Sequence, residues 1–199
     1  MSQVVVSEFV SLDGVMEDPG GAEEFEHGGW VFQFDRGPEG DKFKLDEVMD
    51  ADALLLGRVT YQGFAEAWPS RTDEAGFADK MNNMPKFVVS TTLDEAEWNN
   101  STLIKGDVAE AVSKLKQQLD GNILVAGSRQ LVQTLIQHDL VDEYRLMVFP
   151  IVLGSGKRLF PEGSEPTTLQ LVDSDSVGAG VLILTYRTAE QPREESDSA

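Results

Sequence analysis

The apolar positions of this chain alternate between two rhythms, one continuous or two-residue and the other near 3.6 residues, and each change of rhythm marks an element. Residues 3–10 (QVVVSEFV) are rich in Val and Phe and predict a strand, broken by the SLDG that follows. Residues 52–56 (DALLL) and 122–127 (NILVAG) are compact apolar runs that lead into or end in glycine. Neither alternates, which suits central strands of a parallel sheet covered on both faces. KFVVST (86–91), STLIK (101–105) and EYRLMVF (143–149) predict three further strands, and 167–173 with 180–187 a closing antiparallel pair. Between them, 41–50 places Phe43, Leu45, Val48 and Met49 at helical spacing, and 58–67 predicts a helix stopped before Pro69. Residues 107–119 put Val108, Val112, Leu115 and Leu119 on one face, with Asp107 as N-cap and Gly121 beyond the end. A last helix over 128–139 turns Leu131, Leu135 and Ile136 inward.

Strands interleaved with helices predict α/β layering: a mostly parallel sheet with antiparallel strands at the C-terminal end. Residues 17–40 do not fit the rhythm. They hold eight glycines or prolines and predict a long irregular excursion, either a binding loop or lid or a plain surface insertion. Within it Trp30, Phe32 and Phe34 alternate with Val31 and Gln33, which suggests a short strand or an aromatic patch. Residues 70–85 are polar and read as loop. From Thr188 the chain is polar and acidic, so 1–187 is expected to be one domain and 188–199 a disordered tail.

Composition narrows the chemistry. With 199 residues, 41% apolar and 26% charged, the chain can bury a full core. Sixteen basic residues against 35 acidic give a net charge of −19, which repels nucleic-acid phosphates. Any anionic ligand must therefore find its own local positive field. The chain has no cysteine, so disulfides, thiol catalysis and thiolate metal sites are excluded, and a reducing cytoplasm is the expected setting. No apolar run approaches ~20 residues, so no membrane span is expected. The opening MSQVVVSEFV lacks the pattern of a secretion signal. His27 and His138 share no metal-like spacing, and no metal is expected.

In open parallel sheets ligands bind beyond the carboxyl ends of the strands. Here those ends are Gly57-Arg58, Ser90-Thr91-Thr92 and Gly127-Ser128-Arg129, and two of them feed straight into predicted helices. A helix start presents free N–H groups and partial positive charge, and glycine lets an anion approach the backbone. Arginine is disfavoured at such a start unless something negative lies between. Arg58 and Arg129 therefore point either to a bound anion or to pairing with some of the many carboxylates. No Walker loop or GxGxxG fingerprint is present, and the GSG at 154–156 reads as a tight turn beside the basic Lys157 and Arg158.

Five segments in order carry a resemblance: VSLDG (10–14), LLLGRVTYQGF (54–64), KFVVSTTL (86–93), ILVAGSRQLVQTLI (123–136) and LVDEYRLMVFPIVLGSGKRLF (140–160). Together they resemble the dihydrofolate reductase-like superfamily, most closely the reductase domain at the C-terminus of bifunctional riboflavin-biosynthesis enzymes (the RibD C-terminal family). The resemblance covers residues 2–187. It implies a three-layer α/β/α fold, a homodimer, and an NADPH-dependent reduction of a small heteroaromatic or carbonyl substrate. The alternatives are the 5-amino-6-(5-phosphoribosylamino)uracil reductase of riboflavin biosynthesis, a true dihydrofolate reductase, or a non-catalytic nucleotide-binding protein. Gly57, Arg58 and Thr60 match the family's Gly-Arg-x-Thr phosphate turn. Ser90 and Thr91 match the hydroxyls that contact the adenosine 2′-phosphate, and Gly127, Ser128 and Arg129 match the second glycine turn. Folate-reducing relatives have Gly-Gly there, often with a cis peptide, whereas this chain has Gly-Ser. Ser11, Leu12 and Asp13 match the segment flanking the nicotinamide. Counting back from Gly57 sets Asp41 where folate-reducing relatives carry a pterin-anchoring acid, as a proton donor in a dry pocket or as a helix cap. Asp13 is the second candidate acid, or simply a turn former. Lys157 and Arg158 could hold a ribose phosphate or brace a dimer, and Trp30 could line the substrate pocket or pack in the core.

Overall fold

In the computed structural model, which describes residues 2–160, 162–163 and 165–189, eight strands form one sheet. They are β1 (Val4–Ser11), β2 (Ala51–Gly57), β3 (Lys86–Val89), β4 (Ser101–Ile104), β5 (Asn122–Val125), β6 (Glu143–Phe149), β7 (Leu169–Val177) and β8 (Val181–Thr188). Their order is β4-β3-β2-β5-β1-β6-β8-β7, parallel from β4 to β6 and antiparallel where β8 meets β6 and β7. The helices are α1 (Gly37–Asp50), α2 (Arg58–Ala67), α3 (Phe77–Asn83), α4 (Val108–Gln118) and α5 (Arg129–Gln137). Among the described residues no helix is long and apolar enough to cross a membrane. The expected tail falls outside the described residues beyond Ala189.

Side chains alternate across a strand, and the core divides accordingly. On one face Val4, Val6, Leu55, Ile123 and Val125 pack under Val112 and Leu115 of α4 and Leu131, Val132 and Leu135 of α5. On the other, Val5, Leu54, Leu56, Val88 and Leu124 pack against Val48 of α1, Tyr61 of α2 and Met81 of α3. This gives three layers. The runs in β1, β2 and β5 are continuous because both of their faces are covered. Trimming a fully buried leucine such as Leu55 to alanine should cost about 2–5 kcal/mol. Asp107 caps α4, its carboxylate accepting the Glu110 N–H at 2.9 Å.

The sequence reading needs correction in three places. Helix α1 begins at Gly37, not at 41, because Pro38 sits in its first turn, where a missing N–H costs nothing. The polar stretch 70–85 contains α3, whose start is held by Asp73 accepting the Phe77 and Ala78 N–H groups at 2.9 and 2.6 Å. Trp30–Gln33 is a 3-10 turn and not a strand. Trp30 is fully buried, edge-on to Phe149, donates its indole N–H to the Glu17 carbonyl at 2.9 Å, and packs in a third core cluster.

Candidate functional site at the carboxyl edge of the sheet

The sheet splits at one place along its carboxyl edge. Strand β5 pairs with β1 only from Val4–Ile123 to Val6–Val125, whereas β1 stays with β6 as far as Ser11–Phe149. On its other side the β5–β2 ladder also ends at Val125, opposite Leu55, but beyond it the Gly57 N–H still reaches the Gly127 carbonyl at 3.4 Å. The chain leaving β5 becomes α5 on one face, and the chains leaving β1 and β2 lead to α1 and α2 on the other. Diverging connections of this kind open a crevice between neighbouring strands.

The two glycine corners are in contact. A Cβ on Gly57 would lie 2.1 Å from Ser128 Oγ and 2.8 Å from Ser128 Cβ. A Cβ on Gly127, whose φ is +75°, would lie 2.6 Å from Thr60 Oγ1. Only glycine permits this approach, which brings the starts of α2 and α5 side by side. The peptide between Gly127 and Ser128 is cis, although Ser stands where folate-reducing relatives have a second Gly.

Both starts are bare. Gly57 and Ser128 occupy the N-cap positions, neither helix has a side-chain cap, and neither carries an acid in its first turn. The contrast is α4, which has both. Arg58 is exposed and donates from Nη1 to Gln62 at 2.9 Å; Arg129 donates from Nε to the Arg158 carbonyl at 3.2 Å. Among the described residues neither guanidinium pairs with a carboxylate. In a chain of net charge −19 this leaves a local concentration of N–H donors and positive charge.

The sequence profile of the RibD C-terminal domain matches residues 2–183. The chain belongs to the RibD C-terminal domain family. It is 28% identical over 187 residues to YyaP of Bacillus subtilis, covering 92% of this chain and 94% of that one. It is 30% identical over 174 residues to YwjB of the same organism, covering 87% and 91%. Among solved structures, a Shewanella sp. PV-4 protein assigned to riboflavin biosynthesis superposes with a TM-score of 0.75 at 22% identity, over 94% of this chain and 99% of the other. A pyrimidine reductase-like protein from Corynebacterium diphtheriae gives 0.61 at 13%, covering 95% and 92%. A dihydrofolate reductase from Enterococcus faecalis, solved with NADP(H), gives 0.56 at 16%, covering 94% and 97%. The fold is therefore dihydrofolate reductase-like.

Around the corners of this RibD C-terminal domain the remaining expected residues separate by role. Ser90 is buried and closes a turn, its hydroxyl oxygen accepting the Thr92 and Leu93 N–H groups at 3.2 and 2.9 Å, while Thr91 is exposed. Ser11 is a buried hub: its Oγ donates to Asp13 at 2.6 Å and accepts the Val15 N–H at 2.9 Å. Leu12, at 65% exposure, presents an apolar side chain to solvent. Lys157 is bound to Glu17, and Arg158 lies 3.6 Å from Asp13. Among the described residues no three acidic or histidine side chains converge as metal ligands.

Neither expected acid has the setting of a proton donor. Asp41 is two-thirds exposed and accepts from Arg36 Nε at 2.6 Å, so no dry pocket surrounds it. The gapless count to Asp41 picks a second-turn residue of α1 that faces solvent. Asp13 is desolvated, but the Ser11 hydroxyl and the Gly154 and Leu153 N–H groups outweigh that and hold its pKa down at about 2. It is ionised at neutral pH and anchors the 153–154 loop.

Two other carboxylates lie at the split, and the sequence reading missed both. Glu8 Oε1 accepts the Gly127 N–H at 2.7 Å, so this side chain takes the place of the ladder bond that β1 and β5 no longer make. Burial pushes its pKa up to about 8, against the lowering effects of Gly127 and Lys44 and helped by the nearby charge of Glu47. Glu47 of α1 is buried. Its Oε2 accepts from Ser7 Oγ at 2.9 Å and lies 2.7 Å from Lys44 Nζ, which also donates to Ser7 Oγ at 2.7 Å. The available signal was a charged residue inside the apolar run VVVSEFVS, where a strand covered on both faces should carry none.

Proposed function

We propose that this RibD C-terminal domain is an NADPH-dependent reductase that passes a hydride to a small heteroaromatic or carbonyl acceptor. The observation that carries the reading is the contact between two uncapped, glycine-led helix starts, each opening on an arginine that forms no ion pair among the described residues. Such a pair suits the two linked phosphates of a dinucleotide. Arg58, Thr60, Ser128 and Arg129 would hold them, with Gly57 and Gly127 allowing the approach. Ser90 and Thr91, at the end of β3, would contact the 2′-phosphate, and Ser11 and Leu12 would flank the nicotinamide at the split. When bound, the reduced cofactor supplies the hydride; the protein positions the acceptor and excludes water. The same reading places the enzyme in the reducing cytoplasm.

The acceptors to test first are dihydrofolate and 5-amino-6-(5-phosphoribosylamino)uracil. Lys157 and Arg158 already serve Glu17 and Asp13, which weighs against their gripping a ribose phosphate. The test is a fluorescence titration with NADPH. Arg58→Ala and Arg129→Ala should each weaken binding about tenfold or more, as expected for a lost charge-assisted contact. Equal losses for NADH and NADPH assign the arginine to the pyrophosphate; a larger loss for NADPH assigns it to the 2′-phosphate. Binding that neither variant alters contradicts the reading. Binding without oxidation by any acceptor favours a non-catalytic nucleotide carrier. We also propose a homodimer. Leu171 of β7 and Leu182 of β8 are 49% and 41% exposed at the β7–β8 end of the sheet face that carries α4 and α5. Sedimentation at micromolar concentration should give the mass of two chains, and the mass of one would remove the dimer.

A further inference from the structure

We propose that Glu8 is the acid of this site: its carboxyl group gives up the proton that accompanies hydride transfer, and its ionised form then faces the positively charged ring of the oxidised cofactor. This rests on the cofactor reading above and adds to it a residue that neither the fold nor the resemblance assigns.

Geometry is the main support. With the linked phosphates at the β2 and β5 corners, the two halves of a dinucleotide must leave in opposite directions along the carboxyl edge. One side leads to Ser90 and Thr91 beyond β3, and the other to the split between β5 and β1. Glu8 lies in that split, bonded to the phosphate corner itself through the Gly127 N–H at 2.7 Å. Glu8 is half-buried. Among the described residues it forms no ion pair. The charged groups around it are Lys44 and Glu47 of α1, and these engage each other and Ser7 Oγ. Glu8 is thus a carboxylic acid held neutral at physiological pH beside a corner built for anions, whereas Asp13 and Glu17 are locked as anions. In the step, the acceptor carbon gains a hydride from the reduced dinucleotide, which is thereby oxidised. The adjoining nitrogen or oxygen takes the proton as the O–H bond of Glu8 breaks, and solvent water reprotonates the carboxylate.

The test needs no substrate. Isothermal titration calorimetry at pH 7, in two buffers of different ionisation enthalpy, counts protons released when NADP+ or NADPH binds. Both carry the same 2′-phosphate, so its titration cancels in the difference. NADP+ should release about 0.5–1 proton more than NADPH, and in Glu8→Gln, which keeps the acceptor for the Gly127 N–H, the difference should fall below about 0.2. Equal counts in the native protein, or a difference that survives in the variant, overturn the proposal. If the variant does not fold, the native protein still decides. The ratio of the NADP+ to the NADPH Kd should rise about tenfold per unit as pH falls below 8, and a ratio flat between pH 6 and 8 overturns the assignment. Failure of either cofactor to bind is a different result, one that overturns the cofactor reading and this inference with it.

Discussion

Replacing Glu8 with glutamine should change how stability depends on pH, independently of any ligand. An ordinary glutamate titrates near 4.5, and in the folded chain burial moves Glu8 to about 8. Between those values the folded state holds a proton that the unfolded state has released. Stability therefore falls as pH rises through the window, and the loss is complete above the folded pKa. The limiting slope is about 1.4 kcal/mol per pH unit, and because Glu8 keeps some contact with solvent a realistic total is on the order of 2–4 kcal/mol. Glutamine fits the same space, accepts the Gly127 N–H and carries no titrating proton. Urea unfolding at half-unit steps from pH 5 to 8.5 should show the native protein losing stability relative to the variant as pH rises, with the gap opening steadily. Parallel curves would mean that Glu8 ionises in the usual range, and that the split is wetter than the structure implies.

Gly57→Ala should separate the corners, because the new Cβ would meet Ser128 Cβ at 2.8 Å as well as Oγ. A destabilisation of about 1–3 kcal/mol by urea unfolding is expected, with loss of NADPH binding. Asp13→Asn should remove part of the acid sensitivity. The Asp13 pKa lies below its unfolded value, so its contribution is present above about pH 4 and lost as pH falls toward 2. The variant should be less stable by about 1–2 kcal/mol at pH 7, the gap narrowing in acid. Lys86 is fully buried, donates to the Asn82, Met84 and Asn99 carbonyls at 3.0, 2.8 and 2.9 Å, and has its pKa lowered by burial to about 8. The unfolded state therefore binds the extra proton between pH 8 and 10.5, so this group makes stability rise with pH there. Lys86→Met, followed by thermal unfolding, should lack that rise.

Most of the sheet and the two glycine corners were readable from the chain because an apolar run leads into Gly57-Arg58 at 54–58 and into Gly127-Ser128-Arg129 at 123–129. What was not readable depended on tertiary placement. Gly37 and Pro38 resemble loop residues until Pro38 falls in the first turn of α1. Helix α3 buries Ala78 and Met81, too short an apolar face to stand out of a polar stretch. Counting back from Gly57 lands on Asp41 in the second turn of α1, but a count along the chain does not tell which helix side chains face solvent. Glu8 was hidden for the opposite reason. Its strand looked like plain core, and only the end of the β5–β1 ladder after Val6 gives a carboxylate there a partner, the Gly127 N–H.

The central claim is that a dinucleotide is gripped where two bare helix starts touch. Backbone amide shifts, followed by NMR as NADPH is added, test it most directly. The largest changes should fall on Arg58, Val59 and Thr60 and on Ser128, Arg129 and Gln130, with Glu8 next. Unchanged amides at both corners, or largest shifts at another concavity such as that lined by His27, Gln33 and Val152, would contradict it.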